Sequence, residues 1–215
     1  RQLENNRPVS DFICDNCGNI FECKAKNGSL GTKIVDGAYG TMIKRINDYN
    51  NADFFIMSYN YQDSYVDNFI FVPKYFFTEK IIEKRKPLSP NARRAGWIGC
   101  NILLKEIPEE GRISIICNRQ INNKETVCNK VNKTNFISEI SLSSRGWILD
   151  VMNCVNRINS QEFELADLYR FETQLNILYP HNNNIKAKIR QQLQLLRDKG
   201  LIEFLGNGKY KKTKV

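Results

Sequence analysis

Three residues near the start of the chain have the types and spacing of a metal-dependent phosphodiesterase site. Asp11 stands in one short apolar segment, and Glu22 and Lys24 form an acid-x-lysine triplet in the next. Because side chains alternate between the faces of a strand, Glu22 and Lys24 would share a face, and Asp11 would join them if the segments pair. Carboxylates bind Mg²⁺, and a neighbouring lysine can act on the water that attacks phosphorus. The pattern is a candidate catalytic set, although so short a match also arises by chance.

The turn between these two segments holds a second candidate metal site. Cys14 and Cys17 form a C-x-x-C-G knuckle, in which two thiolates can grip one Zn²⁺ and the following glycine lets backbone amides turn toward sulfur. A tetrahedral zinc needs two more ligands, and neither the single histidine, His181, nor the other cysteines have a matching spacing. Either residues before Arg1 complete a zinc site, or the turn carries two free thiols.

The composition is that of a folded, basic protein. The chain has 215 residues, of which 41% are hydrophobic, enough for one large domain or two small ones. It begins with Arg1 rather than Met, so we expect a fragment of a longer chain. No apolar run approaches the ~20 residues that span a bilayer, so no membrane partner is expected. Seven scattered cysteines favour a reducing compartment, such as the cytoplasm, over a disulfide framework.

Positive charge is concentrated in two blocks within a net charge of +9. Residues 183–215 carry nine Lys or Arg against two acidic residues, a net +7. Residues 80–94 carry six against one, a net +5. Two separate basic blocks suit a polyanion, nucleic acid first, although each alone could be a solvated face.

The first 140 residues predict an α/β (α+β) domain with a mixed sheet and a helix packed on it. Short aromatic and β-branched runs predict the strands, and apolar spacing predicts the helix. The predicted elements are two paired strands within 8–24, a helix over 36–48, and strands over 53–59, 68–72 and 112–117. Residues 118–140 are polar and predict a loop or linker, with a domain boundary near Ser141.

The segment 84–100 is the candidate DNA-contacting loop of this domain. Two prolines exclude regular structure at its start, and Arg93, Arg94 and Trp97 follow. Arginine contacts phosphates or guanine edges, and a flat aromatic ring can stack on or pack against a base. The alternative is a core tryptophan beside a solvated arginine pair.

The last third of the chain predicts three helices and a basic β-hairpin, which together make a winged helix. The third helix would run from Ile185 to about Leu196, capped by the asparagines at 182–184 and ended by Gly200. It would enter the major groove while the hairpin lysines contact phosphates. The candidate DNA contacts in this part of the chain are Trp147, Asn183, Asn184, Lys186, Lys188, Arg190, Gln191, Lys209 and Lys211. Winged helices also dock proteins, but the charge of the last 33 residues favours DNA.

Several longer stretches resemble the DpnI family of methyl-directed restriction endonucleases. They are 5–9 with Asp11-Phe12, 36–39, 92–101, 141–147 and 188–194, and the likeness covers essentially all 215 residues. The resemblance implies a PD-(D/E)xK nuclease domain over 1–140 and a winged helix over 141–215. It also implies cleavage of duplex GATC carrying N6-methyladenine. We further expect a monomer in the bacterial cytoplasm.

The resemblance also assigns roles to single residues. Asp11, Glu22 and Lys24 take the nuclease positions, and Trp97 takes that of a tryptophan at the methyladenines. Cys14 and Cys17 match the second of two C-x-x-C pairs that hold a zinc, and the first pair would precede Arg1.

Three hypotheses follow from these observations. In the first, Asp11, Glu22 and the backbone carbonyl of Cys23 hold Mg²⁺ or Mn²⁺, and Lys24 orients or helps deprotonate the attacking water. In the second, the chain is a non-catalytic winged-helix reader of methylated DNA and the acid-x-lysine triplet is incidental. In the third, it is a nuclease of the same fold with a different modification preference.

Overall fold

The computed structural model describes residues 1–3, 10–48 and 50–213, which form two compact units. The first unit comprises 1–107 and 111–128, and the second comprises 108–110 and 129–215. Pro8 and Val9, which the sequence placed in the first strand, lie outside the described residues. All seven cysteines lie within them; Cys100 and Cys154 are buried, and none of the seven is in a disulfide.

Two sheets and a helix make up most of the first unit. Its elements are β1 (Phe12–Ile13), β2 (Ile20–Asn27), β3 (Lys33–Ala38), α1 (Tyr39–Asn47), β4 (Asp53–Asn60), β5 (Tyr65–Val72), β6 (Ile82–Lys84), β7 (Gly99–Leu103), β8 (Ile113–Cys117) and β9 (Gln120–Ile121). The next helix, α2 (Lys124–Thr134), begins in the first unit and ends in the second. A six-stranded sheet has the order β1-β2-β4-β5-β8-β9 and is antiparallel except for the β2–β4 pair. A separate three-stranded sheet has the order β3-β7-β6, and α1 packs beside β3 and β6. The predicted mixed sheet with a helix is confirmed.

Strand β4 lies in the middle of the large sheet because its apolar side chains alternate between two covered faces. Phe54 and Ile56 are fully buried on one face, where Phe54 contacts the ring of Phe77 at 4.6 Å between centroids. On the other face Phe55 lies 5.5 Å from Phe21 of β2. The aromatic contact anchors β2, the strand that carries the acid-x-lysine triplet, against the centre of the sheet.

The second unit has the elements of a winged helix. They are α3 (Leu142–Arg157), β10 (Glu162–Glu164), α4 (Leu165–Tyr169), α5 (Glu172–Leu178), α6 (Ile185–Asp198), β11 (Ile202–Gly206) and β12 (Lys209–Lys212), with a sheet in the order β10-β12-β11. The third helix of the prediction is α6, which buries Ile189, Leu193 and Leu196. It ends as predicted at Gly200, where φ is +71° and the amide of Gly200 donates to the carbonyl of Arg197.

Three predicted elements differ from the structure. The first helix begins at Tyr39, because residues 33–38 pair with β7 as a strand that includes Asp36. Residues 118–140 are largely helical rather than a loop: the Asn123 side chain accepts a hydrogen bond from the amide of Glu125 and so starts α2.

The predicted second helix of the winged unit is two helices, α4 and α5. The chain turns at residues 170–171, and both Leu168 and Leu175 are then buried against α6.

The two compact units divide earlier in the chain than the boundary predicted after residue 140. Ile137 is fully buried. The guanidinium of Arg145 in α3 donates to the carbonyls of Ser138 and Ile140 at 3.3 and 3.0 Å. These bonds tie the segment before α3 to the second unit, although its polar composition suggested a linker.

No helix of the described residues combines the length and apolar character that a membrane span requires.

Candidate active site and nucleic-acid interface

The β1–β2 hairpin places Asp11 against the middle of the triplet. Strands β1 and β2 pair with Phe12 opposite Phe21, and the amide of Asp11 donates to the carbonyl of Phe21 at 2.8 Å. The Asp11 carboxylate then accepts a hydrogen bond from the backbone N–H of Cys23 at 2.7 Å. The predicted pairing of the two segments is therefore what brings Asp11 to the strand position between Glu22 and Lys24.

Glu22 and Lys24 meet on one face of β2, as the alternation of side chains along a strand predicts. The Lys24 ammonium lies 2.6 Å from Oε1 of Glu22, the length of a charge-assisted hydrogen bond. The Glu22 side chain is only 8% exposed and the Lys24 side chain only 19% exposed. Water therefore screens this pair much less than a pair on the protein surface.

A third carboxylate, which the sequence reasoning missed, completes the cluster. Asp36 lies on β3, in the other sheet, and its Oδ1 is 2.5 Å from the Lys24 ammonium. Its side chain is 2% exposed. The available signal was the alternation in β3, where Ile34 and Asp36 are buried and Val35 is exposed. An acidic residue on the apolar face of a strand needs a partner, but the apolar spacing of residues 36–48 predicts a helix there.

The charges of the cluster are strongly coupled. Burial raises the pKa of Glu22, opposed by the hydrogen bond and charge of Lys24 and reinforced by the charges of Asp11 and Asp36. Burial by itself would lower the pKa of Lys24, but Asp36 and Glu22 outweigh it and raise that pKa above its usual value. Lys24 is therefore an ammonium ion at neutral pH, suited to orienting a water or balancing negative charge.

The oxygen atoms of this cluster fit a hard divalent cation. Oε2 of Glu22 and Oδ2 of Asp36 are both buried and have no hydrogen-bond partner among the described residues, an arrangement that costs free energy. In the described part of the chain, no group of three or more His, Cys, Asp or Glu side chains is arranged to bind a metal ion. Mg²⁺ commonly uses only one or two protein carboxylates and keeps several waters, so the donor set suits it.

The Cys14–Cys17 turn has the backbone arrangement of a metal-binding knuckle. The amides of Cys17 and Asn16 hydrogen-bond to the Cys14 sulfur and, with the Cys17 thiol, hold the pKa of Cys14 below its usual value. Gly18 follows with φ of +71°, and its amide donates to the carbonyl of Cys14. A lowered pKa favours the thiolate form that binds zinc, and the described residues supply these two sulfurs.

The basic loop of the first unit joins β6 to β7, in the sheet that carries Asp36. Trp97 is half-buried. Its ring packs so closely on Gly99 that a Cβ atom at position 99 would lie 2.8 Å from the ring. The guanidinium of Arg94 stacks over the ring at 4.6 Å from its centroid, and Arg93 is exposed. The structure therefore places these three candidate DNA contacts at the surface, and Trp97 is not a core tryptophan.

The second unit presents most of its candidate contacts on the exposed side of α6 and on the β11–β12 hairpin. The exposed residues are Asn183, Asn184, Lys186, Arg190, Gln191, Lys209 and Lys211, and Lys188 is half-buried. Lys186 forms an ion pair with Glu172, and Arg190 donates to the hydroxyl of Tyr169 at 2.8 Å. The Asn184 side chain makes no capping bond to α6; the backbone N–H of Asn184 donates to Oδ1 of Asn182.

Two family models match the chain along almost its whole length. Residues 1–140 match the Dam-replacing family model named DpnI, and residues 143–212 match the Dam-replacing HTH domain. The chain belongs to the Dam-replacing (DpnI) family. Its two parts are thus a restriction nuclease domain and a DNA-binding winged helix, the fold class that the sequence predicted.

One candidate contact lies inside the Dam-replacing HTH domain rather than on its surface. Trp147 is 7% exposed and stacks on Tyr179 at 3.7 Å between ring centroids. The Tyr179 hydroxyl donates to Asp150 at 2.5 Å, which holds the stack against α3. Trp147 packs the core from which α6 is presented, so we leave it out of the proposed interface.

Proposed function

We propose that this chain is a methyl-dependent restriction endonuclease that hydrolyses both strands of duplex GATC carrying N6-methyladenine, with Mg²⁺ or Mn²⁺ as cofactor. The observation that carries the proposal is the Lys24 ammonium at 2.6 Å from Glu22 and 2.5 Å from Asp36, two buried carboxylates that each keep an unpartnered oxygen. Such a cluster is costly to bury and suits catalysis with a divalent cation. Family membership and the basic winged helix support duplex DNA as the substrate.

The proposed site is formed by residues of β2 and by Asp11, which directly precedes β1. Asp11, Glu22 and the backbone carbonyl of Cys23 would hold the cation, which supplies charge neutralisation and a more acidic bound water. Lys24 would orient the attacking water and balance the charge that develops on the phosphorane. Because Glu22 and Asp36 keep its pKa high, Lys24 acts as a fixed positive charge rather than as the base.

Trp97 would provide the preference for methylated adenine. N6-methylation leaves base pairing possible but adds an apolar group in the major groove, and burying one methyl against an aromatic wall is worth about 1 kcal/mol. A palindromic site carries two methyl groups, so the preference can double. The exposed part of the Trp97 ring, beside Arg93 and Arg94, supports this role.

Cys14 and Cys17 would hold a structural zinc that stiffens the turn of the active-site hairpin. The amides directed at the Cys14 sulfur support this part of the proposal. Zinc content measured after dialysis should fall when both cysteines are replaced by serine. The paired change Cys117→Ser and Cys128→Ser, at two other exposed cysteines, should leave the zinc content unchanged.

One digest tests the main proposal. The protein is incubated with Mg²⁺ and two preparations of a plasmid, one adenine-methylated at GATC and one unmethylated. Cutting of the methylated plasmid alone is the expected result, and Trp97→Ala should reduce that preference. Binding without cutting would instead identify a non-catalytic reader, and cutting of the unmethylated plasmid would identify a different modification preference.

A further inference from the structure

Asp36 is a buried acidic residue beside the proposed cation site, but it is not one of the proposed ligands, which are Asp11, Glu22 and the backbone carbonyl of Cys23. It lies on β3, in a different sheet from the triplet, at a point where the pairing of β3 with β7 is irregular between Asp36 and Ala38. Asp36 itself still pairs in register with Cys100, and irregularities of this kind are common next to active sites. Here the Asp36 side chain meets Lys24 across the two sheets.

A purely structural ion pair accounts for the position of only one of the two carboxylate oxygens of Asp36. Oδ1 is 2.5 Å from the ammonium, but Oδ2 is buried without a hydrogen-bond partner among the described residues. Buried ion pairs are weak sources of stability, and replacing one with apolar side chains is often neutral or stabilising. An unpartnered oxygen makes this pair a still poorer structural choice.

The contact does have a consequence for the geometry of Lys24. A lysine ammonium is a point charge on a flexible four-carbon stem, and a single partner leaves it free to swing. Glu22 and Asp36 hold it from two different strands, at 2.6 and 2.5 Å. These are the two partners found for it among the described residues, and an ammonium has three donors. One N–H therefore remains for a water or a phosphate oxygen.

We propose that Asp36 is a positioning residue of the active site, which fixes the Lys24 ammonium beside Glu22 so that its third donor meets the reacting phosphate. The inference rests on the proposed nuclease function. Asp36 acts through Lys24 and holds neither substrate nor leaving group. It belongs to the site although it lies 12 residues beyond Lys24 in sequence, on the other sheet.

Steady-state kinetics on methylated plasmid test the proposal with three variants. Asp36→Asn keeps the shape of the side chain and removes its charge, Asp36→Glu restores the charge, and Asp48→Asn changes an exposed aspartate of the same unit. Misplacing the ammonium in Asp36→Asn should lower kcat about 100-fold. KM, and DNA binding measured with Ca²⁺ in place of Mg²⁺, should stay within about twofold because contacts to DNA are unchanged. Asp36→Glu should recover about tenfold of the lost kcat, and Asp48→Asn should match the wild type.

A spectroscopic measurement reads the contact without cleavage. In protein with ¹⁵N-labelled lysine, the Lys24 ammonium, held by two carboxylates, should exchange its protons slowly and give a distinct cross peak. The peak is assigned by its loss in Lys24→Arg. Asp36→Asn should broaden or shift it, whereas Asp48→Asn should leave it in place.

The outcomes separate the inference from the proposed function. A wild-type protein that cuts neither plasmid overturns the nuclease proposal, and this inference falls with it. A wild type that cuts, with Asp36→Asn cutting equally well or the Lys24 peak unchanged, overturns the inference alone. A loss of activity that Asp36→Glu does not relieve, and that follows a fall in Tm, also overturns it in favour of a structural role.

Discussion

At the scale of the residue, the stability of the fold and the proposed cation binding place opposite requirements on the Glu22 carboxyl. Its carboxyl is buried beside two other carboxylates, and this environment raises its pKa. Cation binding, however, requires the ionised form. Binding of the proposed cation by Glu22 would therefore come at a cost in stability, as is common at active sites.

Glu22→Gln should therefore stabilise the protein while it abolishes cleavage. A carboxyl whose pKa is higher in the folded than in the unfolded state destabilises the fold at pH values above that pKa, and it has no such effect below the unfolded value. At pH 7, with chelator present, we expect Tm to rise by about 2–4 °C, which corresponds to ~1 kcal/mol. Calorimetry should show the gain shrinking as the pH falls toward 4.5, the ordinary pKa of the group.

The control for this comparison is Glu125→Gln, at an exposed glutamate in the first turn of α2. It should change neither Tm nor cleavage. A fall in the Tm of Glu22→Gln at pH 7 would contradict the argument, because it would mean that the ion pair with Lys24 outweighs the burial of Glu22.

The same raised pKa predicts how cleavage depends on pH. As the pH falls through the pKa of Glu22, which lies above 4.5, a proton competes with the cation for the carboxylate and the rate should drop. At a fixed acid pH, raising the Mg²⁺ concentration should restore part of the rate, since the two ligands compete. A pH profile measured at two Mg²⁺ concentrations tests this, and identical acid limbs would contradict it.

At the scale of the element, α6 separates two neighbouring glutamines by function. Gln191 is exposed on the side that carries Ala187, Arg190 and Gln194, whereas Gln192 is 5% exposed and packs inward with Leu193. Helical geometry alone divides them, because successive residues on a helix are about 100° apart. The exposed side is the one that can enter a major groove.

Gln191→Ala should weaken discrimination between the cognate site and a site with one base pair changed, by about 1–3 kcal/mol, and should leave Tm unchanged. Gln192→Ala should leave this discrimination unchanged. It should lower Tm by about 2–4 °C, the shift that ~1 kcal/mol produces. Binding titrations with matched and mismatched duplexes, together with thermal melts, compare the pair. Equal effects of the two changes would contradict the assignment of faces.

The β11–β12 hairpin should contribute charge rather than sequence readout. Lys209 and Lys211 are exposed on β12, and removing two phosphate contacts should reduce the slope of log Kobs against log salt by about 1.8. Affinity for matched and mismatched duplexes should fall in parallel. The control is Lys124→Ala, an exposed lysine at the start of α2, which should leave the slope unchanged.

At the scale of the whole molecule, the candidate cluster around Lys24 and the basic residues of 183–215 belong to different compact units. A substitution in the cluster should therefore affect DNA cleavage without affecting DNA binding. Lys24→Ala should reduce cleavage to the detection limit, yet bind methylated duplex with the wild-type affinity and the wild-type salt slope. A gel-shift titration at several salt concentrations, beside a digest, measures both. Cleavage by Lys24→Ala at the native rate would refute the active-site assignment.

The features that could be predicted from the sequence are those that depend on residues close together in the chain. The alternation in β2 placed Glu22 and Lys24 on one face, and apolar spacing identified α6. The start of α1 was misplaced because Asp36 belongs to a strand whose partner, β7, lies over 60 residues away. Local periodicity cannot show that pairing, since the hydrogen bonds that define a strand come from distant chain.

The sequence by itself determined the candidate triplet of Glu22 and Lys24, the two basic blocks and the family to which the chain belongs. Only the tertiary structure decided which residues surround Lys24, and which tryptophan faces the solvent. Asp36 reaches the ammonium because the two sheets of the first unit bring β2 and β3 together. Trp147 is buried against Tyr179 while Trp97 stays near the surface, because burial depends on what the rest of the chain packs onto each ring.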